Sequence, residues 1–156
     1  MDSQIDKLDR QILHLLMQNV NRAYTDIAKE LGVSGGTIHV RLKKMTELGI
    51  VQGAQLLINP AAIGYDICAF IGVFLEKGSA YKEVVEKMRG IPEIVELHYT
   101  TGAYSMFVKI VCRDTKHLRE VLNEKMQGIA GVHRTETFIS LEESITRQIS
   151  VGVEQV

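Results

Sequence analysis

Leu31-Gly32-Val33-Ser34 stops one helix and starts another within four residues. Few arrangements of chain tolerate so short a join. Gly32 suits the left-handed position that ends a helix, and the Ser34 hydroxyl is placed to cap the next one. On either side, Tyr24 to Gly49 reads as two short helices, the second of them basic. This is the signature of a helix-turn-helix, whose second helix enters the major groove of DNA.

The flanking pattern extends the motif. Ile5, Leu8, Ile12, Leu15 and Leu16 share one side of a helix from Asp6 to Met17, with Asp6 as its cap. A second helix, Thr25 to Leu31, turns Ile27, Ala28 and Leu31 inward. A third, from Gly35 to Leu48, does the same with Ile38, Leu42, Met45 and Leu48, and Gly49 stops it. Ile50 to Ile58 reads as extended, with Gly53 at a turn or bulge, and suggests a small β wing. The first domain is thus a winged helix-turn-helix over residues 1–58. Asn59 to Gly64, holding one of the two prolines, is the linker.

Residues 65–156 change period and form the second domain. Strands are expected at Tyr65–Leu75, Ile94–Thr101, Tyr104–Val111 and Val132–Leu141, with helices at Ala80–Met88 and Thr115–Met126. A faint repeat supports two βαβ units: Met88 to Ile94 matches Met126 to Val132 in position. The fold class is α+β, the second domain being a ferredoxin-like βαββαβ sheet with both helices on one face. Ile67, Ala69, Ile71 and Val73, with their alternation partners, are candidates for the uncovered face. A homodimer burying that apolar face is the simplest remedy, and its two-fold symmetry suits a palindromic operator in double-stranded DNA.

Thr37, His39 and Val40 stand nearest the base edges at the start of the reading helix. Ser34, Arg41, Lys43 and Lys44 fall to the phosphates. Gly35 and Gly36 let the backbone approach the sugar-phosphate chain. Net charge is −1 over 156 residues, so any attraction for DNA is local. Ser34 to Thr46 supplies it, with three cations and no acid. The rival reading is a helical hairpin that only packs, with Gly35-Gly36 as a loose turn.

Between the second and third strands lies His98-Tyr99-Thr100-Thr101-Gly102-Ala103-Tyr104-Ser105. It reads first as a hairpin turn with a positive φ at Gly102. It also reads as a binding loop. Amides around Gly102 suit a carboxylate, and Thr100, Thr101 and Ser105 suit a small polar ligand. Cys68 and Cys112 sit in apolar runs, as buried reduced thiols do, and no Cys/His spacing suggests a metal. No cofactor is implied. The start of the chain lacks signal-peptide character, and the best apolar run, Ile67 to Leu75, is too short to span a membrane, so a cytoplasmic location is expected.

LDRQIL, DIAKELGVSGGTIHVRLKKMTELGIVQGAQLLINPAAIGYD and YTTGAYSMFVKI together resemble the Lrp/AsnC family of bacterial transcription regulators. The likeness spans essentially the whole chain. GVS-x-GTIHVR, YTTG-x-YS-x-F-x-K and Thr135 to Thr137 resemble its asparagine-responsive members. The resemblance implies a winged helix-turn-helix, a ligand-sensing domain, and dimers that assemble further, commonly to octamers, with an amino acid bound between them. Many members carry acids in a Gly-Asp-x-Asp turn that meets the ligand's ammonium group; here those positions are Ala103 and Ser105. That departure makes asparagine the first effector, with another small amino acid or none left open. His133 falls where the subgroup uses an amide side chain, and Thr135 joins the same candidate set.

An enzyme is the main rival class. The chain has no GxSxG, GxxxxGK[ST] or HExxH, and its five histidines have no sequence neighbours that form a triad or metal set. A third class is an architectural protein that assembles on DNA without sensing anything.

Overall fold

Asp6 begins the first helix through a reciprocal cap. Asp9 N–H donates to the Asp6 carboxylate at 2.9 Å, and Asp6 N–H donates to that of Asp9 at 3.1 Å. A computed structural model of the chain describes residues 4–152. They form two units, residues 4–57 with 146–152, and residues 58–145.

The first unit contains α1 (Lys7–Gln18), α2 (Tyr24–Leu31) and α3 (Gly35–Glu47). Gly32 ends α2 at φ +67°, and the Ser34 hydroxyl accepts from Thr37 N–H at 3.1 Å, as the turn chemistry predicts. Ile12, Ile27, Ile38 and Met45 are completely buried where the helices meet. The expected β wing is not formed. Residues 51–59 make no ladder, and Leu56 and Leu57 remain about nine-tenths exposed. A strand needs a partner for its backbone groups, and this unit offers none. The closing segment also departs from expectation. Val151 packs on the helical core and its carbonyl accepts from Arg10 Nη1 at 3.1 Å, so residues 146–152 belong with the helices and not with the sheet.

The second unit runs β1 (Ile67–Leu75), α4 (Tyr81–Arg89), β2 (Ile94–Tyr99), β3 (Met106–Cys112), α5 (Thr115–Glu120) and β4 (Val132–Ile139). α5 continues into a wider π turn over Val121–Met126. The strands lie in the order β2-β3-β1-β4, all neighbours antiparallel. The internal repeat is visible in the geometry. Ile91 N–H returns to the carbonyl of the buried Met88 at 3.0 Å, and Ile129 N–H to that of the buried Met126 at 3.2 Å.

One expectation is reversed here. Ala69, Ile71 and Val73 pack with Val84, Met88, Leu118 and Val121 beneath the helices, and Ile67 lies with them. The open face instead carries Phe70, Gly72 and Phe74 from β1, with Phe107 from β3 and Phe138 from β4 as cross-strand partners. The Phe70 and Phe107 rings stack with centroids 5.8 Å apart. Period-two alternation separates two faces without saying which one the helices cover.

Glu93, just before β2, has a side chain only 9% exposed. Burial pushes its carboxyl up, but the Lys125 ammonium at 2.6 Å, a backbone hydrogen bond and the His117 ring at 3.0 Å together hold it below the usual range. A lowered folded value means that the stabilisation is complete above the unfolded Glu pKa, about 4.3, and is lost as pH falls through the folded one. Glu93→Gln is therefore expected to be less stable than the parent near neutral pH and to lose less on acidification. Urea unfolding at a series of pH values checks this; parallel acid limbs would contradict it.

Candidate DNA-reading helix and effector hairpin

α3 buries Ile38 and Met45 completely, which turns its other side to solvent. His39, Val40, Lys43 and Lys44 are exposed, and Val40 at 66% is unusually open for a valine. Thr37 and Gly35 are half-buried at the start of the helix, beside the exposed Ser34 and Gly36. Nothing lies within 4 Å of a Cβ built at Gly35, and at Gly36 only the Ser34 hydroxyl does, at 3.7 Å. The first turn is therefore open to a close-approaching partner. Tyr24, the first residue of α2, brings its ring to 6.5 Å from that of His39, a neighbour the sequence pattern did not disclose.

Arg41, expected at the phosphates, is already engaged within the protein. Its Nη1 donates to Asp6 Oδ2 at 2.6 Å and to Asp9 Oδ1 at 2.9 Å, so the guanidinium faces α1. The Asp6 and Asp9 carboxylates hold it above its usual pKa, and Arg41 in turn holds Asp6 below the ordinary carboxylate range. Lys43 comes within 3.9 Å of the exposed Glu47, a contact of little energetic weight.

In the other unit, the hairpin closes with Thr100 N–H on the Ser105 carbonyl at 3.1 Å, and Gly102 takes φ +107°. Thr101, Gly102 and Ala103 form its exposed tip. Thr100 Oγ1 donates to the Tyr104 carbonyl at 2.8 Å, and Ser105 Oγ accepts from Leu75 N–H at 3.4 Å. The hydroxyls thus brace the turn beside β1.

The candidate effector residues do not gather on one face. Antiparallel partners share a face, so His98, opposite Phe107, lies on the open side, and Tyr99, opposite Met106, lies on the helix side. Tyr99 meets the Tyr81 ring of α4 at 4.3 Å. Thr135, opposite Val73, also lies under the helices and accepts from Gln127 Nε2 at 3.3 Å. His133 is exposed near the start of β4.

Tyr104 is held on the open face. Its ring lies over Gly72, where an added Cβ would come within 2.4 Å of it. Its hydroxyl donates to Glu136 Oε2 at 2.8 Å, and that carboxylate holds the phenol above its ordinary pKa. Arg134 donates to the other Glu136 oxygen at 2.8 Å and covers the Phe74 ring, 3.8 Å from its centroid. Glu136 and Arg134 are absent from the candidate set. They are two apart and share the open face of β4, opposite to that of Thr135, so the candidate pattern did not reach them.

No helix among the described residues is long and apolar enough to cross a membrane. No group of three or more His, Cys, Asp or Glu among them is arranged to hold a metal ion.

Comparison with known proteins agrees with this architecture. A family model for the Lrp/AsnC ligand binding domain matches residues 68–149, and one for the AsnC-type helix-turn-helix domain matches residues 5–46. The chain is 45% identical over 145 residues to the regulatory protein AsnC of Escherichia coli, covering 93% of this chain and 95% of that one. It is 42% identical to the AsnC of Haemophilus influenzae, covering 93% and 97%. The solved structure of E. coli AsnC is similar at a TM-score of 0.91 and 43% identity, covering 95% of this chain and 99% of that one. A Neisseria meningitidis transcriptional regulator solved as an L-Met complex has the same fold, with a TM-score of 0.88, 21% identity and coverage of 97% and 98%.

The Tyr104 perch over Gly72 yields a direct test. Gly72→Ala must displace the ring and its bond to Glu136, at a cost of about 1–3 kcal/mol typical of overpacking. Chemical denaturation reads that loss, and a variant as stable as the parent would show that the ring is free to move aside.

Proposed function

The chain belongs to the Lrp/AsnC family of DNA-binding transcription regulators, and we propose that its hold on operator DNA responds to a small amino acid, with asparagine first. The observation that carries the DNA half is the exposed side of α3. Two completely buried residues, Ile38 and Met45, fix its orientation, leaving His39, Val40, Lys43 and Lys44 outward. Thr37, His39 and Val40 read base edges; Ser34, Lys43 and Lys44 hold phosphates; Gly35 and Gly36 permit close backbone approach. Arg41 is removed from the phosphate set because two carboxylates already engage it.

The aromatic open face of the sheet supports a homodimer, since Phe138 is 47% exposed and Phe70, Phe74 and Phe107 beside it are only half-buried, which leaves apolar rings for a second copy to cover. A symmetric pair suits a two-fold operator, and further assembly toward an octamer in the cytoplasm completes the proposal. The effector half rests on the hairpin. Ala103 and Ser105 stand where many relatives in the family place acids, so the turn offers hydroxyls and backbone amides instead of a paired carboxylate. Its exposed tip, Thr101 to Ala103, is open to a ligand shared between dimers. The E. coli relative, 45% identical, is the regulatory protein AsnC, and the Neisseria regulator was solved as an L-Met complex. The second favours an amino-acid ligand here. Regulation then requires that ligand to prefer one assembly state, because equal affinity for both shifts nothing.

Lys43→Ala is expected to weaken binding to every duplex and to reduce the salt slope by about one, whereas Thr37→Ala changes sequence preference. Anisotropy titrations across salt concentrations separate the two; a parent protein indifferent to salt would count against the interface. Asparagine is expected to raise the melting temperature by binding the folded state preferentially, and Ser105→Ala to blunt the shift. No shift with any common amino acid would remove the effector and leave DNA binding standing.

A further inference from the structure

Arg41 sits on the reading helix, three residues beyond Ile38, and reaches across to the first turn of α1. The two carboxylates it meets already form the reciprocal cap of that helix. Asp6 accepts from the Asp9 amide at Oδ1 and from Arg41 at Oδ2. Asp9 accepts from the Asp6 amide at Oδ2 and from Arg41 at Oδ1. Each oxygen thus has its own partner, and the guanidinium spans 35 and 32 residues of sequence to find them. The Asp9 side chain is only 1% exposed, and that of Arg41 is 30% exposed. A carboxylate so buried depends on its countercharge, since removing one partner leaves the other uncompensated in a poor solvent. Taken together, one cation and two anions give this cluster a net negative charge, the wrong sign for a phosphate contact.

Building on the DNA-binding reading, we propose that Arg41, Asp6 and Asp9 form a positioning clamp that sets the angle of α3 against α1, and that Arg41 contacts no phosphate. The clamp acts through the helix. It holds Thr37, His39 and Val40 at the orientation in which they meet base edges, so its loss blurs sequence discrimination before it weakens general attraction. A phosphate ligand behaves in the opposite way, because it adds affinity for every duplex and a counterion to the salt slope.

The test uses the full-length chain with two duplexes, one selected from random sequence for tight binding and one scrambled, each titrated across salt concentrations. Arg41→Gln is expected to shrink the selected-to-scrambled affinity ratio by about tenfold, the scale of one displaced base contact, with the salt slope unchanged. Asp9→Asn is expected to do the same, the double variant to cost little more than either single one, and Asp6→Asn to bring no tightening. If Arg41 were a phosphate ligand, Arg41→Gln would weaken both duplexes equally and shorten the slope by about 0.9, and Asp6→Asn would tighten binding by freeing the cation. Either result overturns the clamp. Where Arg41→Gln fails to fold, Arg41→Lys and Asp6→Asn are read by the same criteria, since a single ammonium cannot reproduce the guanidinium fork. Lys43→Ala in the same titrations keeps the two claims apart. A parent whose DNA binding ignores salt overturns the DNA reading and the clamp with it, whereas a parent and Lys43→Ala that behave as expected leave the clamp to stand or fall alone.

Discussion

The burial of Ile38 and Met45 on one side of α3 is the constraint on which the first unit depends. The two residues are seven apart, close to two full turns, so they lie along one line of the helix. At about 100° per residue, Val40 then falls nearly opposite Ile38, with Lys43 and Lys44 to either side of it. No separate force is needed to present these groups. Sinking the apolar line into contact with α1 and α2 turns the polar one outward, and the Ser34 cap sets where that outward surface begins. Arg41 is the exception that follows from the same phase. It lies near the buried line, and so it meets the capping box of α1 instead of solvent.

The sheet of the second unit obeys a comparable rule with a different period. Its helix side is a closed hydrocarbon layer, and its open side is aromatic, with Tyr104 and the phenylalanines in mutual contact. The hairpin between β2 and β3 joins these two environments. Tyr99 goes to the helices, Tyr104 goes to the open face, and the residues between them form the tip. A ligand held at that tip sits within a few residues of the Tyr104–Glu136–Arg134 chain on the open face. That face is the one proposed to pair with a second copy, which gives a physical route from effector to assembly.

Features with local causes were legible in the sequence. The Gly32 stop, the Ser34 and Asp6 caps, the Gly102 turn and the repeat around Met88 and Met126 each depend on neighbours within a few residues. What depends on distant partners was not. Ile50 to Ile58 has extended character, but a wing needs a second strand that the sequence pattern does not supply. The alternation in β1 identified two faces and assigned them in reverse, because choosing between them needs the helices. Arg41 looked like one cation among three until Asp6 and Asp9 were brought to it. The attachment of Val151 to Arg10 spans almost the entire chain and leaves no periodic trace. Among the effector candidates, the hydroxyls of Thr100 and Ser105 were recognised by composition, whereas the Glu136 acceptor of Tyr104 lies 32 residues away.

The central claim is that the outward side of α3 is the surface that meets DNA. Backbone amide chemical shifts of the isotopically labelled full-length protein, followed as a tight-binding duplex is added, test it most directly. The account predicts the largest changes at Gly35, Gly36, Thr37, His39, Val40, Lys43 and Lys44, with the buried strands of the sheet nearly still. Changes concentrated on the sheet or on α4, with that side of α3 unmoved, would contradict it.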